Sequence, residues 1–274
     1  MSEVTERGGR AAADGADVDL VGRLRAAGCV YAEEEAALLV GAAGSAAELE
    51  AMVARRVQGH PLEQVVGWAE LAGVRVAVEP DVFVPRRRTT LMVREAVAGC
   101  ARAHGVPVIL DLCCGSGAVG LAVVSGLGRT AELHATDLHP AAVRCARRNL
   151  AGLGTVYCGD LDEPLPASLR GRVDVLVANV PYVPTDEIAL LPAEARLHEP
   201  GLTLDGGADG LRVLARVAVL APRWLTPGGS VLLETSERQL SAAVATVATA
   251  GLAARGVTDE ELGASVVVGT LDSR

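Results

Sequence analysis

Asn179-Val180-Pro181-Tyr182 follows directly on the apolar run Val173-Asp174-Val175-Leu176-Val177-Ala178. These residue types suit one task, which is holding an –NH2 group in a single orientation. Asn179 can accept a hydrogen bond through its side-chain oxygen, and the Val180 backbone carbonyl can accept another. Pro181 has no N–H and a fixed φ, so the turn is stiff. Tyr182 offers a ring that can lie flat against a planar group. The same four residues would also serve as an ordinary strand-to-loop turn with a packed tyrosine, so the motif needs company before it carries a function.

That company lies upstream, in Asp111-Leu112-Cys113-Cys114-Gly115-Ser116-Gly117-Ala118-Val119-Gly120. Glycines let backbone approach a ligand, and a helix starting at Gly117 would offer free N–H groups. Twenty residues beyond Gly117, Asp137 and the adjoining Leu138 end another apolar stretch, where a carboxylate can accept both hydroxyls of a ribose. Farther on, Asp160 can accept from an adenine amino group while the Leu161 N–H donates to a ring nitrogen. Residues 115–120 read G-x-G-x-x-G, so NAD(H) competes for this site. Asp111 favours a cationic sulfonium over a pyrophosphate, which points to S-adenosyl-L-methionine. Asp111 can equally be a carboxylate that braces the loop or caps the helix. Cys113 and Cys114 read as small loop residues, since nothing nearby would lower a thiol pKa.

The elements that must position these groups alternate. Strands are expected at 108–112, 132–136, 154–158, 173–178 and 229–234, with two more near 252–257 and 264–269. Helices fall near 117–125, 140–150, 210–224 and 237–249, and Thr89 is placed to cap a helix running to about 103. This predicts an α/β fold, a Rossmann-like seven-stranded sheet with helices on both faces and its last strand antiparallel. Upstream, residues 1–16 are expected to be disordered, 17–62 to form a small helical, substrate-recognising domain, 63–84 a β-hairpin linker, and 85–274 the catalytic domain.

Composition removes other readings. All 25 basic residues are Arg, so Schiff-base and P-loop lysines are out of consideration. A net charge of −9 argues against broad nucleic-acid binding, although Arg86-Arg87-Arg88 forms a local cationic run. No apolar run reaches membrane-spanning length, and the N-terminal residues lack the apolar core of a signal peptide. A cytoplasmic chain is expected. The six cysteines show no C-x-x-C spacing, so reduced thiols and no metal site are expected.

At this point the chain resembles the HemK/PrmC group of protein-glutamine N-methyltransferases, from about Gly59 to the C-terminus. The matching segments are Gly59-His60-Pro61-Leu62, Gly67, Phe83-Val84-Pro85-Arg86, residues 111–117, 179–182, Glu199-Pro200, 204–211, Pro227-Gly228-Gly229 and Leu233-Glu234. The resemblance implies a class I fold, S-adenosyl-L-methionine as methyl donor, and methyl transfer to the side-chain amide of a protein glutamine. The family's acceptor is the glutamine of Gly-Gly-Gln in peptide-chain release factors. Asn179, Val180, Pro181 and Tyr182 would then form the catalytic clamp. Phe83, Arg86 and Thr89 would flank the acceptor, with Phe83 and Tyr182 sandwiching its amide. The cofactor set would be Asp111, Cys113, Cys114, Gly115, Ser116, Gly117, Asp137, Leu138, Asp160, Leu161 and Asn179. A monomer acting on a protein substrate is expected, with no membrane or nucleic-acid partner.

Two departures mark a divergent branch. Asn-Pro-Pro-Tyr is Asn-Val180-Pro-Tyr here, which keeps the carbonyl. Pro-Arg-Pro-Glu-Thr is Pro85-Arg86-Arg87-Arg88-Thr89, which sets a cation where the family has an acid. The reaction is therefore readable before the acceptor is. A different protein, a small-molecule amide or amine, or a DNA adenine remains an alternative acceptor, with DNA disfavoured by the 2% aromatic content.

Overall fold

The computed structural model describes residues 19–273, and the segment expected to be disordered lies outside them. Two compact units result. The first holds the described residues up to Gly67 together with Ala193–His198; the second holds Trp68–Pro192 and the described residues from Glu199 onward.

In the first unit, helices Ala32–Ala42, Ala46–Val57 and Leu62–Val66 follow a helical segment at 19–26. Ser45 starts the second of these helices by accepting the Glu48 N–H at 3.2 Å. Gly67, at φ 82°, ends the third, a left-handed position that glycine takes without a Cβ penalty. Leu20, Leu24, Ala32, Leu39, Val53 and Val65 form the core. Inside this unit Arg56 bonds Glu35 through Nε at 2.6 Å and Glu194 through Nη1 at 3.0 Å, tying the short helix Ala193–His198 to the bundle.

The second unit opens with a hairpin, β1 (Trp68–Leu71) and β2 (Val74–Ala77), turning at Ala72 and Gly73 with φ of 50° and 79°. Positive φ at both turn residues matches the twist of a two-residue hairpin. Ala69, Leu71 and Val76 are buried in the same apolar layer as helices Thr90–Cys100 and Ala118–Leu127. The hairpin expected as a linker is thus built into the core of the sheet-containing unit.

The sheet comprises β3 (Val108–Leu112), β4 (Glu132–Asp137), β5 (Gly154–Cys158), β6 (Val173–Ala178), β7 (Leu225–Thr235), β8 (Ala253–Asp259) and β9 (Ala264–Thr270), in the order β5-β4-β3-β6-β7-β9-β8. The strands β3 to β7 pair in parallel, and β9 is antiparallel to both β7 and β8. Ile109, Val175 and Val177 point into one apolar layer, while Leu110, Leu112, Leu176 and Ala178 point into the other. Helices Arg212–Trp224 and Leu240–Thr249 cover that second face. Burial on both faces explains why the central strands read as nearly continuous apolar runs. Strand order reverses between β3 and β6, and in open α/β sheets such a reversal opens a crevice at the strand carboxyl ends.

Candidate active site

Leu112 of β3 pairs with Ala178 of β6 and with Thr136 of β4, so the glycine loop, residues 179–182 and Asp137 share one edge of the sheet. The loop after β3 is wound through left-handed backbone: φ is 54° at Cys113, 54° at Gly115 and 77° at Gly117. Hydrogen bonds hold it there, from Cys114 N to Thr136 O at 3.0 Å, Gly117 N to Cys114 O at 2.7 Å and Gly115 N to Asp137 Oδ2 at 2.8 Å. A Cβ at Gly115 would meet open space, which leaves the backbone bare there, whereas one at Gly117 would lie 3.0 Å from Leu150. Ser116 is buried, and its carbonyl accepts from Asn149 Nδ2 at 2.9 Å.

Asp111 is 1% exposed and accepts the Gly120 N–H at 2.9 Å. Burial lifts its pKa to about 7, the Gly120 bond opposes the rise and the charge of Asp137 adds to it. Of the two roles open to it from sequence, bracing the first turn of the following helix is the one its contacts display. Burial likewise pushes the thiols of Cys113 and Cys114 well up, with nearby carboxylates adding to the effect. Neither thiol is an activated nucleophile.

At the end of β4, Asp137 accepts from Gly115 N through Oδ2 and from His139 N through Oδ1, each at 2.8 Å. Its pKa is raised by burial and drawn back by these backbone bonds. Leu138 beside it is an apolar side chain that is 56% exposed. His139 Nδ1 is buried with no hydrogen-bond partner among the described residues. After β5, Leu161 takes φ 50°, and its carbonyl accepts from Thr136 Oγ1 at 2.9 Å. Asp160 departs from expectation: its Oδ2 is paired with Arg216 at 2.8 Å. The sequence reading has Asp160 accepting from an adenine amino group, and a cation 56 residues away in the chain is not visible in the local motif.

On the other side of the reversal, Val180 is buried and Tyr182 is half-buried. Asn179 Nδ2 donates to Thr89 Oγ1 at 3.4 Å. Among the described residues, neither Asn179 Oδ1 nor the Val180 carbonyl is hydrogen-bonded within the chain. Gln239 Nε2 grips the Tyr182 carbonyl at 2.9 Å, and the Tyr182 hydroxyl donates to Glu234 Oε1 at 3.2 Å. Arg88 Nε reaches the same oxygen at 3.4 Å, with its guanidinium 5.7 Å from the centre of the Tyr182 ring. Burial pushes the Tyr182 hydroxyl pKa up, and the Glu234 charge adds to the shift.

Two flanking residues behave differently from expectation. Thr89 does stand at the N-cap position of helix Thr90–Cys100, but at the end of the 3₁₀ turn Arg87–Thr89 it makes no side-chain capping bond, its hydroxyl accepting from Asn179 instead. Arg86 is paired at 2.7 Å with the buried Glu199, which also takes the Val84 N–H, and its guanidinium stands 5.1 Å from the Phe83 ring centre. It is therefore engaged in holding the loop. Among the described residues no ring contact joins Phe83 to Tyr182. The residue that local motifs underplayed is Glu234. Its signals were the Leu233-Glu234 match and its place as the acid closing the apolar run Val231-Leu232-Leu233, one position past the partner of Ala178.

A mixed sheet of this order, a glycine loop after β3 and an acid ending β4 define a class I S-adenosylmethionine-dependent methyltransferase. Residues 109–201 match the family model described as a methyltransferase domain. A solved methyltransferase from Pyrococcus furiosus shares the fold, with TM-score 0.51 and 16% identity over 73% of this chain and 90% of that one. The chain belongs to the release factor glutamine methyltransferase family. It is 39% identical to the member from Bordetella pertussis over 73% of its own length and 74% of the relative's. The member from Geobacter sulfurreducens is 36% identical over 67% of this chain, and the match spans only 63% of that relative. A 4-amino-L-phenylalanine/4-methylamino-L-phenylalanine methyltransferase from Streptomyces pristinaespiralis is also 36% identical, over 69% of this chain and 65% of the relative.

The methyl donor, S-adenosyl-L-methionine, suits the residues present. The bare backbone at Gly115, the unpartnered buried nitrogen of His139 and the exposed Leu138 gather around the carboxylate of Asp137. Each Asp137 oxygen carries one backbone bond, which leaves lone pairs for hydroxyl donors.

Proposed function

We propose that this chain methylates a side-chain amide nitrogen of a protein glutamine, with the Gly-Gly-Gln glutamine of a peptide-chain release factor as the acceptor. The observation that carries this reading is the pair of unengaged acceptors, Asn179 Oδ1 and the Val180 carbonyl, side by side at the strand-order reversal. An –NH2 group has two hydrogens to give, and these two oxygens would take them.

An amide nitrogen is a poor nucleophile because its lone pair is delocalised into the carbonyl. Fixing both hydrogens on Asn179 and Val180 turns the nitrogen towards the donor and favours lone-pair density on it. When bound, S-adenosyl-L-methionine would supply an electrophilic methyl carbon with a neutral thioether as its leaving group. The N–CH3 bond forms as the S–CH3 bond breaks, and the nitrogen then sheds one proton to water. Tyr182, gripped at its carbonyl by Gln239 and at its hydroxyl by Glu234, walls the acceptor plane. Positioning and fixed dipoles supply the catalysis. Residues 111, 113–117, 137, 138, 160 and 161 line the donor side in this reading, and Phe83, Arg86 and Thr89 support the acceptor side.

A second reading, methyl transfer to a small-molecule amine, is favoured by Arg88 beside Tyr182 and by the similarity to the aminophenylalanine enzyme. Incubating the chain with methyl-labelled donor separates the two. Label on a release factor, lost when the Gly-Gly-Gln glutamine is replaced, supports the first. Label on 4-amino-L-phenylalanine alone supports the second, and label on neither refutes both.

A further inference from the structure

We infer that Arg216 is a positioning residue of the donor site, whose guanidinium holds one carboxylate oxygen of Asp160 so that the other reads the 6-amino group of the donor's adenine. This rests on the reading that Asp160 receives an adenine N–H.

The backbone around Asp160 is set by β4. Gly159 N donates to the Asp137 carbonyl at 3.0 Å, and Thr136 Oγ1 donates to the Leu161 carbonyl at 2.9 Å. What these bonds leave open is the direction of the Asp160 side chain, which is free to choose among rotamers. Arg216 makes that choice, since its Nη2 donates to Asp160 Oδ2 at 2.8 Å. Among the described residues Oδ1 carries no hydrogen bond. A carboxylate accepts and does not donate, so this oxygen suits an –NH2 group and repels a carbonyl oxygen.

The helix Arg212–Trp224 brings Arg216 to the right end of the sheet. β7 follows it directly and runs parallel to β6, so the helix returns antiparallel and its early turns lie at the strand carboxyl ends. Arg216 stands in its second turn. About two turns further on, Arg223 Nη2 and Trp224 Nε1 both donate to Asp162 Oδ2, at 2.8 and 2.9 Å. That clamp anchors the loop to the helix through the more buried of the two carboxylates. The Asp162 side chain is 18% exposed, against 35% for Asp160. Exposed ion pairs contribute little to stability. Anchoring therefore falls to Asp162, and Arg216 is left with orienting Asp160.

Calorimetric binding to the full chain tests this without turnover. The probes are S-adenosyl-L-homocysteine and S-inosyl-L-homocysteine, which carries a carbonyl oxygen in place of the 6-amino group. Wild type should prefer the adenosyl compound by at least about tenfold, and Asp160→Ala should lose most of that preference. Arg216→Met should cut the preference by about three- to tenfold with little change in melting temperature, while Arg216→Lys keeps it within about twofold. Arg223→Met should bind with the wild-type preference. In an Asp160→Ala background, Arg216→Met should change the preference no further. A wild-type preference in Arg216→Met overturns the inference, as does an equal fall in Arg223→Met, which would make Arg216 a loop anchor. A further fall in the double variant also overturns it, because Arg216 would then meet the base itself. No preference in wild type, or one unchanged in Asp160→Ala, refutes the reading of Asp160 and the inference with it.

Discussion

Asp111 Oδ2 and the backbone N–H of Gly120 meet at 2.9 Å within the sheet–helix interface, where a side chain at position 120 would force its neighbours to give. A Cβ on Gly120 would sit 3.0 Å from that same oxygen and 3.1 Å from Leu133 Cδ1. The third glycine of the loop thus answers to a buried carboxylate, and the carboxylate answers to an orphan N–H in the first turn of a helix.

Burial of Asp111 makes stability depend on pH, and the Gly120 bond opposes the effect. With the Asp111 pKa near 7 when folded and in the ordinary carboxylate range when unfolded, the folded chain binds the proton more tightly between these limits. The contribution of this group therefore falls as pH rises through that window and levels off above about 7, with a slope of at most about 1.4 kcal/mol per pH unit. Asp111→Asn keeps an acceptor for Gly120 and removes the titration. Its melting temperature should decline less between pH 5 and 8 than that of the wild type; equal slopes would show that Asp111 is not the source.

Gly117→Ala should cost both stability and cofactor affinity. The residue sits at φ 77°, and the new methyl would press on Leu150 at 3.0 Å and Ala146 at 3.3 Å. A loss of about 1–3 kcal/mol in denaturant unfolding is expected. Gly115→Ala meets no protein atom, so it should hurt donor binding out of proportion to its smaller effect on unfolding.

Asp137→Ala removes the carboxylate that holds the N–H groups of Gly115 and His139. Affinity for S-adenosyl-L-methionine by calorimetry should fall by about ten- to a hundredfold, the scale of one or two charge-assisted bonds.

Asn179→Ala should separate the two halves of the site. Turnover should drop by at least about a hundredfold while the Kd for the donor moves by no more than about threefold. A matching loss of donor affinity would place Asn179 on the cofactor side instead.

In the helical unit, Arg56 is 11% exposed between Glu35 and Glu194. Arg56→Ala leaves the buried Glu35 unpaired and should destabilise the unit by about 3–5 kcal/mol, read as lost amide protection across residues 32–57. The double variant Arg56→Met with Glu35→Leu should recover much of that loss.

Sequence by itself determined the order of the elements, because strands buried on both faces read as apolar runs and the glycine loop announces its own backbone. It also determined the family and the chemistry that residues 179–182 can support, since those depend on residue types at fixed spacing. Tertiary structure alone decided the pairings between residues far apart in the chain. Arg216 came to Asp160, Glu199 to Arg86, and Glu234 to Tyr182 and Arg88, across separations of 56, 113, 52 and 146 residues. A local motif specifies its own backbone geometry, but the sheet order sets which strand ends become neighbours. That is why Thr89, read from sequence as a helix cap, proved to be the partner of Asn179.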